Sequence, residues 1–138
     1  MPADPEIVKA FGATNLFGPL RKRALRQVAN ASRVAVHTPG QEVTAEGDGG
    51  VAFHLVLEGT GKVTIKGKQI GKIGPGDYFG EIALIDGKPR TATVTATTEL
   101  RTAGLSAWQF RPLLREIPGL AETLLMVLCE RIRNEQGA

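Results

Sequence analysis

Cysteine is almost missing: the 138-residue chain has one, Cys129, so no internal disulfide can form. That suits a reducing compartment. Cys129 closes the run LLMVLC, where a thiol reads as a small buried hydrophobe and not as a nucleophile. Long apolar runs are missing too, none approaching the roughly 20 residues that cross a bilayer. The opening MPADPEIVKA carries early acids and no apolar signal core. A cytoplasmic protein without membrane contact is expected. Histidine occurs twice, as His37 and His54, each isolated and without a neighbouring carboxylate, so neither a metal site nor a cupin-type metal enzyme is expected. No G-x-S-x-G and no Cys/His arrangement suggests a nucleophile. With no catalytic residue in view, the expectation is a protein that is not an enzyme and holds no cofactor.

Charge of one sign is scarce as well. Residues 1–39 carry six bases and two acids, 40–100 six and eight, and 101–138 five and four. The excess is one cluster, Arg21, Lys22, Arg23 and Arg26, with no aromatics interleaved for base stacking. It reads as a solvated helix face, and direct nucleic-acid binding is not expected. What the chain does have is glycine: 17 residues, where about ten would be average. Twelve of them fall between Gly40 and Gly87, marking short strands joined by tight turns.

Helical signals flank that region. Pro5–Phe11 reads as a helix capped by Asp4, and Leu20–Ala31 as another, with Leu20, Ala24, Leu25 and Val28 on one face. Strands are expected at Arg33–His37, Glu42–Ala45, Val51–Leu57, Lys62–Lys66, Gln69–Ile73, Thr91–Thr98 and Leu100–Leu105. Ser106 caps a helix to about Arg115, Pro118 ends it, and a last helix runs from about Gly119 to Glu135. Residues 1–138 thus form a single α+β domain: an antiparallel β-barrel or jelly roll between N-terminal helices and a C-terminal helix pair. Trp108 is expected to pack against the barrel. In the last helix Leu120, Leu124, Leu128 and Ile132 make one apolar face, and Leu125, Val127 and Cys129 add apolar surface elsewhere. Such a helix needs cover from two directions, and a homodimer through it is expected.

One stretch breaks the strand rhythm: YFGEIALIDGKPRTATV, Tyr78–Val94. Glu81–Ile85 reads as a short helical turn whose first N–H groups lack intrahelical partners, and Gly80 lets a ligand approach the backbone. Arg90, beyond a turn, can fold back and pair an anionic phosphate with its guanidinium fork. Glu81 repels phosphate but accepts hydrogen bonds from a hydroxyl. Phosphate with a sugar hydroxyl describes a nucleotide.

Phe79–Leu84 (FGEIAL) and Pro89–Val94 (PRTATV) resemble the phosphate-binding cassette of cyclic nucleotide-binding domains, the module of catabolite activator proteins, protein kinase A regulatory subunits and gated channels. Pro39–Val43, Glu46–Asp48, Leu55–Gly59 and Gly74–Asp77 extend the resemblance along the chain. It implies that Glu81 accepts the ribose 2′-hydroxyl and that Arg90 pairs the cyclic phosphate. The backbone around Gly80, Ile82, Ala83, Thr91 and Ala92 lines phosphate and ribose, and Val63 and Ile70 line the base pocket. Arg131, Asn134 and Glu135 are the candidates to close over the base, with no choice among them. The implied ligand is cAMP, with cGMP open because Thr91 suits either. The implied function is a cyclic-nucleotide sensor that signals to an effector protein by moving its C-terminal helix. It is either a single-domain receptor or the sensor fragment of a longer transcription regulator. The alternative is a degenerate module that binds no nucleotide and serves dimerisation or interaction.

Overall fold

The computed structural model, which describes residues 4–44, 53–86, 88 and 92–136, begins with the helix that Asp4 and Pro5 predict. In α1 (Pro5–Gly12) the Asp4 carboxylate accepts from the Glu6 N–H at 2.8 Å. The next helix, α2, runs Lys22–Ala31, two residues shorter than its pattern predicts. The Leu20 N–H closes a turn onto Phe17 O, and Arg21 is extended (φ −64°, ψ 154°), so neither can join the helix.

Eight strands follow among the described residues: β1 (Arg33–His37), β2 (Glu42–Thr44), β3 (Phe53–Glu58), β4 (Gly61–Ile65), β5 (Lys68–Ile73), β6 (Tyr78–Phe79), β7 (Thr93–Ala96) and β8 (Leu100–Leu105). The short helix α3 (Glu81–Asp86) stands between β6 and β7, where the helical turn was expected. The two-residue β6, which the alternation pattern misses, pairs His54↔Phe79 and Leu55↔Tyr78. The strands make two antiparallel sheets, ordered β1-β8-β3-β6 and β2-β7-β4-β5. This is a jelly roll. No ladder among the described residues joins the two sheets, so it is a sandwich rather than a closed barrel.

Alternation along β3 and β8 gives the first sheet two different faces. Phe53, Leu55, Ala103 and Leu105 face the helices and join Phe11, Phe17, Val28, Phe110 and Leu120 in the main core. Phe17 meets Phe53 edge to face at 5.6 Å and 89°, and Phe11 stacks on Phe53 at 6.3 Å and 22°. The opposite face holds a small core of Val56, Ala96 and Leu100.

The first of the two C-terminal helices, α4 (Ala107–Glu116), starts with a capping box between Ser106 and Gln109. It buries Phe110 and Leu113 and leaves Trp108 76% exposed, not packed on the sheets. Two residues before Phe110, Trp108 points to the other side of the helix. After Pro118, Gly119 takes a left-handed φ of +87°, so α5 begins at Leu120 and runs to Gln136. The buried stripe of α5 is Leu120, Leu124 and Val127, whereas Ile132 is exposed. A four-residue step advances about 40° too far around a helix, so a strict i, i+4 row drifts off the buried face. Cys129, two residues past Val127, points to the other side of the helix and is exposed, against the buried thiol that its apolar neighbours suggest. Among the described residues no helix is long and apolar enough to cross a membrane.

Candidate functional site

The site begins where β6 ends. Tyr78 packs on Phe53, with ring centroids 5.4 Å apart, and donates its hydroxyl hydrogen to Asn15 Oδ1 at 2.6 Å. Phe79 stacks on His54 at 5.0 Å. Gly80, at φ +87°, then turns the chain into α3 through the left-handed region that favours glycine. Leu84 is fully buried and anchors this helix to the main core, whereas Ile82 is exposed and Ala83 half-buried. The far end is tied to α4 by Arg111, whose Nη2 donates to Ile85 O at 3.0 Å. A cation suits the carbonyl end of a helix, but sequence reasoning could not pair residues 85 and 111. The Lys88 N–H then closes a turn onto Asp86 Oδ1 at 2.9 Å.

Glu81 is the feature that sequence reasoning places best. It is only 2% exposed, at the first position of α3. A carboxylate that deep needs a partner, and the partner comes from α5: Arg131 Nη1 forms an ion pair with Glu81 Oε1. Arg131 lies one turn beyond Val127 and so continues the buried stripe of α5. Its guanidinium and the Glu130 carboxylate also act on Tyr78. Burial pushes the phenol up from its usual pKa, Arg131 and the Asn15 hydrogen bond oppose that, and Glu130 adds to it. The end of α5 therefore lies over β6 and the start of α3.

Of the other expected residues, Val63 is half-buried in β4, paired with Gly71 and Val94. Ile70 sits at the bulge that follows that pair in β5 and is 57% exposed. Ala92 is half-buried just before β7, Asn134 is exposed, and Glu135 lies in the last turn of α5. Arg90 and Thr91, like Pro89, lie outside the described residues.

The two histidines are not isolated, contrary to the sequence expectation. His37 on β1 and His54 on β3 flank Thr102 on β8, whose Oγ1 lies 3.2 Å from His37 Nε2 and 3.3 Å from His54 Nδ1. They are far apart in sequence because β8, which separates them in the sheet, comes from late in the chain. No third ligating side chain joins them among the described residues.

A glycine turn, a buried carboxylate at a short helix inserted between strands, and a jelly roll around them repeat an arrangement found in other proteins. The sequence model of the cyclic nucleotide-binding domain matches residues 35–116. The chain belongs to the cyclic nucleotide-binding domain family. It is 44% identical over 90 residues to a cAMP-dependent protein kinase regulatory subunit of Yarrowia lipolytica, covering 64% of this chain and 24% of that protein. It is 34% identical over 119 residues to a cyclic nucleotide-gated potassium channel of Rhizobium etli, covering 86% of this chain and 33% of the channel. Its fold matches the regulatory domain of Toxoplasma gondii PKA, crystallised with cAMP, at a TM-score of 0.78 and 26% identity, over 90% of this chain and 49% of that one. The chain thus spans a third or less of the two curated relatives. The residues matched by the family model include most of both sheets, α3 and α4.

Proposed function

We propose that the chain is a sensor for cAMP, with cGMP as the second ligand, and that it signals to an effector protein through α5 without doing chemistry. The observation that carries this reading is Glu81, a carboxylate buried at the Gly80 turn within the FGEIAL motif. It suits a ribose hydroxyl, an uncharged donor that satisfies a buried acceptor. Arg90 supplies the guanidinium for the cyclic phosphate, and Thr91 and Ala92 follow it along the ligand. Val63 and Ile70, on one hairpin, face the base. Leu125, Met126, Cys129 and Ile132 leave an apolar stripe exposed along α5, and a second copy of the chain covers it in a homodimer.

Calorimetry and thermal shift with cAMP, cGMP and 5′-AMP test this reading. A ligand at 100 times its dissociation constant adds about 2.7 kcal/mol of stability. cAMP is expected to bind tightest and 5′-AMP weakest. The exposed stripe on α5 alone would also suit a module that only pairs with a partner, and silence from all three nucleotides would select that reading. Arg90→Ala is expected to remove detectable cAMP binding, since losing one partner of a buried charge pair costs about 2–5 kcal/mol. Unchanged affinity would take Arg90 out of the site.

A further inference from the structure

The basic cluster Arg21, Lys22, Arg23 and Arg26 takes no part in the proposed nucleotide site, yet Arg21 and Arg23 line a groove of about 540 Å³. One wall of the groove is the start of α2, and the other is the joint between α4 and α5. We propose that this groove docks an acidic segment of the effector protein, with an apolar side chain in the hollow and carboxylates on Arg21 and Arg23. The proposal takes its effector from the sensor reading, on which it rests, and supplies the docking chemistry.

The bottom of the groove is apolar: Ile117 is buried, and Leu20 and Ala24 are half-buried. Its volume lies in the range of pockets that enclose a ligand. Both lips are held in place. Pro19 stands in the turn that the Leu20 N–H closes onto Phe17 O at 3.0 Å, and Pro118 in the turn that the Leu120 N–H closes onto Ile117 O at 3.3 Å. A groove formed in advance needs little ordering when a peptide enters. Arg21 and Arg23 are exposed on the rim, and neither makes an ion pair or a side-chain hydrogen bond with a described residue. Their planar forks suit carboxylates. Glu116, on the opposite wall, pairs with neither arginine and repels a carboxylate, so it confines the acidic end of the segment to the α2 side. Lys22 and Arg26 do not line the groove but extend the positive field along α2, which steers an acidic partner. Nucleic acid fits less well. The cations rim a hollow with an apolar bottom, and among the described residues no aromatic lines it for base stacking.

A phage-displayed library of random short peptides is selected on the full chain, and the consensus peptide is synthesised with a fluorescent label. Selection is expected to enrich acidic peptides that carry a bulky apolar residue. No enrichment, or a neutral or basic consensus, overturns the proposal. In fluorescence anisotropy, Arg21→Glu together with Arg23→Glu is expected to weaken that peptide about tenfold. Lys22→Glu together with Arg26→Glu makes the same change of charge outside the groove and is expected to weaken it by no more than about threefold. Equal losses in the two double variants reduce the effect to general charge attraction and overturn the groove. A short DNA duplex that outcompetes the peptide assigns the cluster to nucleic acid and overturns it as well. Calorimetric cAMP affinity, expected to be unchanged in both double variants, and thermal melts are the controls. Binding of cAMP without any peptide sinks the groove alone, and binding of the peptide without cAMP sinks the sensor alone. Linkage between two sites is reciprocal, so cAMP is expected to change the affinity for the peptide. The same affinity with and without cAMP takes the groove away from the effector.

Discussion

Protonating His37 puts a charge between the two sheets. The ring is 8% exposed, its Nδ1 has no hydrogen-bond partner among the described residues, and burial lowers its pKa from the usual 6.5. The folded state therefore prefers the neutral ring, while the unfolded chain takes up the proton near pH 6.5. The stability this group contributes is present above that pH, falls as pH drops from 6.5 toward the lowered folded value, and then levels off. Thermal midpoints measured from pH 8 to pH 5 are expected to fall through this window, and His37→Gln is expected to flatten the fall. Identical profiles for both proteins would contradict the assignment. At the same scale, Glu81→Gln is expected to weaken cAMP far more than 2′-deoxy-cAMP in calorimetry; equal losses would remove Glu81 from the ribose. The position of Glu81 at the head of α3 was legible in the sequence because its signals are local: a glycine, an acid and a short apolar helix. Arg131 as its partner was not, since their meeting depends on the path of α5. The same holds for the histidines, which only the passage of β8 between β1 and β3 brings to one threonine.

Elements were legible wherever a local signal sets their ends. Asp4 and Pro5 start α1, and the Ser106 and Gln109 box starts α4. The strand at Arg33–His37 and the one at Leu100–Leu105 match their alternation pattern residue for residue. Prediction failed where the end depends on packing. The face of α5 follows 3.6 residues per turn through Val127 to Arg131, not the leucine row through Leu128 to Ile132. Leu16 and Phe17 lie in the connection between α1 and α2, yet both are fully buried in the main core. There the Thr14 hydroxyl donates to Phe11 O at 2.7 Å and accepts from the Phe17 N–H at 3.0 Å, a local bond that folds the connection inward. The joint between α4 and α5 rests on Gly119. A Cβ there meets no atom within 4 Å, so Gly119→Ala acts through its left-handed φ alone. Denaturant titration is expected to show a loss of about 1–2 kcal/mol, and a change in cAMP affinity would mark the joint as the hinge of α5.

At the scale of the whole molecule, the helices lie on one side of the first sheet, and the strand order follows no local rule. β1 pairs with β8 and β2 with β7, joining residues 50 to 71 positions apart in the sequence. Glycine-rich turns and alternation could announce short antiparallel strands, but only the buried faces choose their partners. Phe53 sits where that choice is decided, fully buried between α1 and the connection that holds Phe17. Phe53→Ala is expected to cost about 3–5 kcal/mol in equilibrium unfolding. Assembly is the matching test on the outside: Ile132→Asp is expected to turn a dimer into a monomer by light scattering while helical circular dichroism stays unchanged.

The unequal size of the two cores gives the protein a soft side. β3 and β8 lie between the helix-side core and the smaller inner one, whereas β5 is an edge strand with no fully buried residue. Local opening follows such differences in burial. In native-state hydrogen exchange the amides of Leu55 and Ala103 are then expected to open only with global unfolding, and those of β5 to open long before. The hairpin that carries Val63 and Ile70 can then breathe while the scaffold beneath Glu81 stays folded.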